Sequence, residues 1–347
     1  MFKISFSFLL SLFLFSPWLE MPSHTLANEI RISDKAKNLL AKGPIKGLTL
    51  GMHSYDYDYD YKEQLAGIQG MNTSWIQLNV KFYQEYNHSD EIKIPEVDSY
   101  FWDQLGKTID QAKALGFKVS FLPIVLIEDA KKGEWRGTLD PEDKQKWYNS
   151  YKTLILTLAH LAEAKGIELF SVGSEYCSLQ KDTAEWLQLI SDVKAVYQGS
   201  LFYSANWDAI ESVDFQKELD FLGVTGYNSL TRSKDPRFDE LLEAWAKIKS
   251  NLLDLQRRKG LPFIFSEVGY TSQNGTNMDP WNYLISQERD ESEQVMCYQS
   301  FINTWEDEEA FYGAFVYDWF THGGPEDLGY SVKNKMAEPL LRSWFCH

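Results

Sequence analysis

Two stretches of the chain, Ile167–Tyr176 (IELFSVGSEY) and Pro262–Tyr270 (PFIFSEVGY), follow one pattern. Each is an apolar run of strand length that carries a glutamate near its carboxyl end, Glu175 in the first and Glu267 in the second. Runs that are apolar at almost every position are typical of parallel strands that are covered on both faces. The two stretches therefore predict buried parallel strands.

Six further runs of this kind occur along the chain, and helical patterns separate them. The runs are Lys46–His53, Ser74–Tyr83, Lys118–Ile127, Leu201–Trp207, Leu219–Tyr227 and Tyr312–Phe320. The helical patterns are Asp60–Met71, Tyr100–Leu115, Pro141–Lys165 with Asp140 as its cap, Thr183–Tyr197, a weak one at Asp208–Lys217, Phe238–Lys259, Glu288–Trp305 and Glu338–Trp344. Eight strands alternating with helices predict a single-domain α/β fold, the (β/α)8 or TIM barrel. A doubly wound sheet is the alternative, but Gly51-Met52-His53-Ser54 is not the glycine-rich turn that such a sheet usually has after its first strand.

The amino terminus predicts export. Lys3 precedes an apolar run, Ile4–Phe15, and Thr25-Leu26-Ala27 is a small-residue cleavage site. The run is too short to span a membrane comfortably. We therefore predict a signal peptide over 1–27, an arm over 28–44, a catalytic domain over 45–347, and a periplasmic or extracellular location.

The composition excludes some classes of partner. The formal charge is -16, so the surface repels polyphosphate and has no basic footprint for nucleic acid. The 12 Trp and 19 Tyr suit a neutral carbohydrate, because sugar rings stack on aromatic faces, although core packing must account for most of them. Three cysteines at wide spacing, Cys177, Cys297 and Cys346, form no disulfide framework, and one bridge among them stays open.

Glu175 and Glu267 are the predicted catalytic residues. In a (β/α)8 barrel, catalytic groups project from the carboxyl ends of the strands, which meet at one mouth. A pair of carboxyl groups there fits glycoside hydrolysis, in which one donates a proton and the other attacks the sugar or activates water. A single glutamate at such a place is more often a buried ion-pair partner, so the prediction rests on the pair. This chemistry needs no cofactor or metal, and Tyr55–Tyr61, which alternates Tyr and Asp, lacks the Gly and Glu of a calcium loop.

The chain resembles glycoside hydrolase family 113, whose characterised members are endo-β-1,4-mannanases. The resemblance extends over roughly residues 46–345 and is carried by Trp75, Phe82-Tyr83-Gln84, Trp135-Arg136-Gly137, Val172-Gly173-Ser174-Glu175, Ser266-Glu267-Val268-Gly269-Tyr270, Gly329-Tyr330-Ser331, Lys335 and Ala337-Glu338. It implies that Glu175 is the acid/base and Glu267 the nucleophile. Many members of the wider clan have Asn before the acid/base, where it bonds the sugar 2-hydroxyl, whereas Ser174 stands here.

Other residues near the strand ends are predicted to bind substrate. The resemblance implies that Tyr227 orients the nucleophile and that Trp319 forms the floor of the sugar site. Asn206 and Trp207 are candidates for a hydrogen bond and a stacking platform, and Trp135, Arg136, Asn79, Lys81 and His53 are further candidates. A packed core tyrosine or a locally paired arginine would give the same pattern, so about half of these assignments are expected to be structural.

The sequence therefore predicts an exported, monomeric, retaining glycosidase that acts on mannan-type polysaccharides. Two alternatives remain open at this stage. One is a retaining glycosidase for another β-linked glycan, such as glucan, galactan or xylan. The other is a carbohydrate-binding barrel without activity, against which both carboxylates argue.

Overall fold

The computed structural model of the chain describes residues 30–52, 59–96, 99–319, 323–324 and 326–346. The predicted signal peptide, the first residues of the arm, His53 and most of Tyr55–Tyr61 lie outside these ranges. Within them, no helix is long and apolar enough to cross a membrane. All three cysteines have free thiols, so the bridge left open by the sequence does not form.

Eight parallel strands close into a barrel in chain order, and the last pairs with the first. They are β1 (Ile45–Gly51), β2 (Trp75–Gln84), β3 (Lys118–Ile127), β4 (Leu169–Ser174), β5 (Ser200–Ala205), β6 (Phe221–Thr225), β7 (Phe263–Val268) and β8 (Gly313–Trp319). Each lies within one of the predicted runs or overlaps most of it. The predicted (β/α)8 fold is confirmed.

The helices cover the outside of the barrel. They are α1 (Asp34–Leu40), α2 (Lys62–Gln69), α3 (Tyr100–Ala114), α4 (Lys144–Lys165), α5 (Thr183–Val196), α6 (Phe238–Lys259), α7 (Glu291–Trp305) and α8 (Ala337–Phe345). Helix α4 ends where predicted, at Gly166 in the left-handed conformation with φ 61°, but it begins after Asp143, whose side chain accepts a hydrogen bond from the Lys146 amide. The predicted cap at Asp140 was therefore wrong. Two short 3-10 turns, Ile210–Ser212 and Gln216–Glu218, replace the weak helix between β5 and β6.

The core has two layers, one inside the barrel and one between the strands and the helices. The inner layer includes Trp75, Leu169, Phe202, Ile264 and Phe315, all less than 4% exposed. Its lower end is closed by α1, whose Ala36 is buried in this layer. The arm is held there by the Arg31 amide, which donates to the Gly260 carbonyl at 2.9 Å. With one end of the barrel filled, the opposite end, where the strands finish, is left for a site.

Strand β2 shows which side chains point into the barrel. The Gln77 amide nitrogen donates to Thr49 Oγ1 at 3.0 Å and to the Ser266 carbonyl at 2.9 Å, so it reaches across the interior from β2 to β7. Because side chains alternate along a strand, Asn79 and Lys81 share this inward face, one and two layers closer to the mouth.

Candidate active site

Glu175 and Glu267 lie at the mouth of the barrel and are almost completely buried, 4% and 3% exposed. Thr225, the last residue of β6, connects them. Its hydroxyl donates to Glu175 Oε1 at 3.0 Å, and its Cα is the pairing partner of Glu267 in the β6–β7 ladder. Since paired residues on neighbouring strands are only about 5 Å apart, the two carboxyl groups share one small region.

A β-bulge precedes the functional residues on three strands. The register shifts between Ser171 and Ser174 on β4, between Phe265 and Glu267 on β7, and between Val316 and Trp319 on β8. A bulge adds one residue to a strand and turns the following side chains to a new direction. The three strands with a bulge are the ones that contribute a carboxyl group to the mouth, namely β4 with Glu175, β7 with Glu267 and β8 with Asp318.

The backbone at Glu175 is in the left-handed region, with φ 57°. Its amide donates to the Ser204 carbonyl at 2.7 Å, which ties the end of β4 to β5. For a residue other than glycine, this conformation is less stable than the right-handed one by roughly 1–2 kcal/mol. The surrounding strands therefore hold Glu175 in a position that its own backbone does not prefer.

Both carboxylate oxygens of Glu175 accept bonds in the free protein. Oε1 accepts from Thr225, and Oε2 forms a short ion pair with the guanidinium of Arg136. Although burial opposes it, the charges of Glu175 and Glu267 raise the pKa of Arg136, so the guanidinium stays charged. Both oxygens of Glu175 therefore have a donor before any substrate binds.

Glu267 is in a different environment. The Tyr227 hydroxyl donates to Oε2 at 2.7 Å, and Oε1 is buried without a hydrogen-bond partner. Burial, followed by the charge of Glu175, raises the pKa of Glu267 to about 7, while Arg136 and the bond from Tyr227 act in the opposite direction. One oxygen is thus held in place, and the other has no hydrogen-bond donor among the residues that the structure describes.

Arg136 and Trp135 come from the connection between β3 and α4. With Lys81, Tyr83, Ile127 and Glu134 they line a cleft of about 660 Å3, and Arg136 connects this cleft to Glu175, which does not itself line it. The Trp135 side chain is 37% exposed, and the Arg136 guanidinium lies 5.8 Å from the centre of its ring. The Arg136 Nε is buried without a partner. An exposed indole beside a charged donor is a surface suited to a sugar ring.

Lys81 and Asp318 form a second group of charges at the mouth. Burial lowers the pKa of Lys81 to about 8, against the effect of Asp318, and the positive charge of Arg136 lowers it further. Burial raises the pKa of Asp318 to about 7, with Lys81 acting in the opposite direction. Lys81 and Asp318 thus interact with each other, and Asp318 also raises the pKa of Glu267.

Trp319 is not placed as the resemblance implied. Its ring packs towards α2, where a Cβ atom on Gly67 would lie only 2.7 Å from it, and the residue belongs to the layer between strands and helices. Tyr317, two residues earlier, is half-buried, and the pKa of its hydroxyl is raised by burial and then by Asp318 and Glu267. Tyr317, rather than Trp319, therefore faces the glutamates, because the bulge in β8 turns Trp319 outwards.

The remaining predicted residues lie around the mouth in different roles. Asn79 is 1% exposed inside the barrel, with Oδ1 unpartnered. Asn206 is 9% exposed at the end of β5, and the backbone amide of Trp207 donates to Thr225 Oγ1 at 3.2 Å. Trp207 thus supports the threonine that binds Glu175, while its side chain packs against the outer core. Ser174 Oγ is buried and unpartnered.

Sequence reasoning missed Thr225, Tyr317, Asp318 and Tyr330. The Tyr330 ring lies 6.0 Å from that of Tyr227 and 5.4 Å from that of Tyr317, so it backs both tyrosines. Asp318 and Tyr317 directly precede Trp319, and an acidic residue at the end of a buried strand was the available signal. Thr225 carried none, since a threonine in a strand is ordinary. Within the residues that the structure describes, no group of three His, Cys, Asp or Glu side chains is placed to hold a metal ion.

Comparison with known proteins bears on both fold and family. The model of glycoside hydrolase family 113 matches residues 49–335. A structure described as a complex of a family 113 β-1,4-mannanase has a TM-score of 0.76 and 24% identity, covering 87% of this chain and 99% of that chain. A family 113 β-mannanase from Alicyclobacillus acidocaldarius, in complex with ManMIm, has a TM-score of 0.78 and 24% identity, covering 88% and 97%.

More distant structures share the fold alone. A β-glucuronidase from Faecalibacterium prausnitzii has a TM-score of 0.59 and 14% identity, and the match covers 87% of this chain and 49% of that chain. No match was found among curated proteins. Because the family model spans most of the sequence, from the first strand to the region after the eighth, the chain belongs to glycoside hydrolase family 113 and is a glycoside hydrolase.

Proposed function

We propose that this protein is a retaining glycosidase that cleaves β-1,4-mannosidic bonds in mannan-type polysaccharides by double displacement. The observation that carries the proposal is the asymmetric environment of the two carboxyl groups. Glu267 has one oxygen fixed by Tyr227 and one oxygen to which no described residue donates a hydrogen bond, as suits a nucleophile. Glu175 lies beside it, next to the cleft that opens at Arg136 and Trp135.

In the first step Glu267, ionised, forms a bond from Oε1 to the anomeric carbon. Glu175, protonated, gives its proton to the glycosidic oxygen as the bond between carbon and oxygen breaks. In the second step the ionised Glu175 takes a proton from water, and this water displaces Glu267 from the sugar. Two displacements at one carbon retain its configuration.

Three features support a neutral polymer as substrate. The chain carries a formal charge of -16, which disfavours polyanions. Exposed aromatic side chains lie on the connections at the mouth, with Trp135 at 37% and Trp281 at 54%. The similar family 113 structures are described as β-1,4-mannanases, and that description is the reason for choosing mannan among neutral glycans. We further propose that the protein is exported through its amino-terminal signal peptide.

The test combines a substrate panel with two variants. Wild-type protein is assayed for reducing sugar on β-mannan, β-glucan, galactan and xylan, and the anomer first released is identified by proton NMR. We expect release from β-mannan with the β-anomer formed first, and loss of activity in both Glu175→Gln and Glu267→Gln. Glu142→Gln, an exposed site on the connection before α4, is the control and should keep wild-type activity.

Activity on another glycan of the panel, with the same loss in both variants, would keep the mechanism and replace the substrate. An α-anomer as first product, or near-wild-type activity in either variant, would refute the mechanism. Binding of β-mannan without hydrolysis would favour the carbohydrate-binding barrel.

A further inference from the structure

The ion pair between Arg136 and Glu175 is at odds with the work that the proposed function assigns to Glu175. An acid must hold a proton when the substrate is bound, yet in the free protein both oxygens of Glu175 accept hydrogen bonds, one of them from a guanidinium. A nearby positive charge stabilises the ionised form of a carboxyl group. In the free protein, then, neither oxygen of Glu175 is free of a donor, and one of the two donors is a cation.

The protonation of Glu267 in the free protein also differs from what the reaction needs. Burial and the charge of Glu175 raise the pKa of Glu267 to about 7, so near neutral pH Glu267 itself holds part of the proton that the pair needs. For the reaction, the same proton must be on Glu175 and Glu267 must be ionised. No proton has to be gained or lost overall, but its location within the pair must change.

The cleft that Arg136 lines indicates how substrate binding changes the location of the proton within the pair. Arg136 lines the cleft as well as binding Glu175, and its Nε is buried with no partner. The leaving-group sugar has to lie on the side of the scissile bond that the acid faces, which is the side where Arg136 and Trp135 are found. Arg136 is therefore placed between the acid and the space for the leaving sugar.

We propose that Arg136 is a positioning residue that couples binding of the leaving-group sugar to protonation of Glu175. In the free protein its guanidinium neutralises Glu175. A sugar in the cleft, stacked on Trp135, offers hydroxyl oxygens that accept from the guanidinium and weaken its bond to Glu175. The carboxyl group then takes the proton from Glu267 and passes it to the glycosidic oxygen. The inference rests on the proposed glycosidase mechanism.

Other titratable groups also face Glu175 and have to be considered. They are Glu267 from β7, Cys177 from the connection after β4, Tyr203 from β5 and Tyr330 from the connection after β8. Burial raises the pKa of Cys177 to about 12 and that of both tyrosines well above the usual value, so these three stay neutral near pH 7. Of the groups that act on Glu175, Arg136 and Glu267 are left as the charged ones. Asp318 interacts with Glu267 and Lys81 interacts with Arg136, and both residues are the same in every variant compared.

The experiment uses Arg136→Gln and Arg136→Lys, with Lys132→Gln as control, because Lys132 is an exposed cation on the same connection. Two substrates are compared: a β-mannan oligosaccharide, whose leaving group is a sugar, and a dinitrophenyl β-mannobioside, whose leaving group departs without a proton. The pH dependence of kcat/KM is measured for each. Carboxyl carbon NMR titrations of the free proteins follow Glu175 and Glu267 without any substrate.

For Arg136→Gln we expect the bell-shaped pH profile on the oligosaccharide to move to higher pH by about one unit or more, with a higher KM. On the dinitrophenyl substrate kcat at its own optimum should stay at the wild-type level. Arg136→Lys should keep the pH profile, since the charge remains, but raise KM for the oligosaccharide because the fork of donors is lost. Lys132→Gln should match the wild type.

An unmoved pH profile and unmoved carboxyl titrations in Arg136→Gln would overturn the proposal. Equal losses on both substrates would do the same, since they indicate a structural role. Wild-type protein that hydrolyses neither substrate would refute the proposed function instead, and the NMR titrations would still decide whether Arg136 controls the protonation of Glu175.

Discussion

Replacing Tyr227 by Phe removes one hydroxyl and leaves the ring that packs beside Tyr330. That hydroxyl donates to Glu267 Oε2 at 2.7 Å, and Glu267 has no other hydrogen-bond donor to its carboxylate in the part of the chain that the structure describes. The bond favours the ionised carboxylate, which is the form that attacks. The substitution should therefore raise the pKa of Glu267 above about 7 and leave the nucleophile less precisely oriented.

The size of the effect follows from the type of bond. A hydrogen bond to a charged group contributes about 1.5–3 kcal/mol. Since one pKa unit corresponds to about 1.36 kcal/mol, the pKa of Glu267 should rise by about 1–2 units. The same free energy corresponds to a fall of about 10- to 150-fold in kcat/KM. The alkaline limb of the pH profile should move upwards, because a higher pKa at Glu267 raises the pH at which the pair loses its last proton.

The assay is the pH dependence of kcat/KM on a β-mannan oligosaccharide for wild type and Tyr227→Phe. Tyr197→Phe is the control, since its buried hydroxyl donates to the Ile167 carbonyl at 3.0 Å, at the other end of β4. The control should lose some stability without moving the pH profile. If Tyr227→Phe leaves the alkaline limb in place, Tyr227 does not act on the ionisation of Glu267 and the reasoning is refuted.

Three further predictions concern stability. The pKa of Glu267 is raised from 4.5 to about 7 in the folded state, so its ionisation destabilises the fold increasingly as pH rises from 4.5 to 7. Glu267→Gln should therefore increase Tm more at pH 8 than at pH 5. An equal change at both pH values would contradict this. Lys335 is 4% exposed and donates to Ser272, Asp327 and the Gly329 carbonyl. Lys335→Ala should therefore lower the free energy of unfolding by about 2–3 kcal/mol in urea titrations. An unchanged free energy would show that water replaces the lysine as donor to these acceptors. Gly67→Ala should lower the free energy of unfolding by about 1–3 kcal/mol, because the new Cβ would lie 2.7 Å from Trp319. Gly106→Ala in α3, where the nearest atom is 3.9 Å away, should raise it by about 0.5–1 kcal/mol. A change of the same sign in both variants would contradict this explanation by packing.

The barrel could be predicted because its strands are covered on both faces. Apolar runs such as Lys118–Ile127 have no polar alternation and match β3 residue for residue. Helix ends marked by glycine, such as Gly166, were also predictable. The start of α4 was not, because Asp140 and Asp143 are equally good caps in sequence, and the chain uses the second. The connection from β5 to β6 has only a weak helical pattern, and this pattern did not predict its two 3-10 turns.

The site was predictable at the level of residue type and less so at the level of direction. Glu175 and Glu267 could be identified because a charge at the exit of a buried strand is uncommon. Tyr227 was predicted beside the nucleophile from the resemblance, but Thr225 and Tyr317 were not predicted. The bulges on β4, β7 and β8 change which way the next side chains point and leave no mark in the sequence. This is why Trp319 was predicted at the mouth, although its ring packs towards α2 and Tyr317 is the residue that interacts with Glu267. The pairing of Arg136 with Glu175 depends on a connection whose path is set by tertiary contacts.

The most direct test of the mechanism is to identify the residue that becomes bonded to sugar. The protein is incubated with a 2-deoxy-2-fluoro-β-mannosyl fluoride, whose glycosyl-enzyme intermediate breaks down slowly, and its peptides are analysed by mass spectrometry. The peptide containing Glu267 should gain the mass of one fluorosugar, and the corresponding peptide of Glu267→Gln should gain none. A label on Glu175, or inactivation of neither protein together with hydrolysis of β-mannan, would contradict the mechanism.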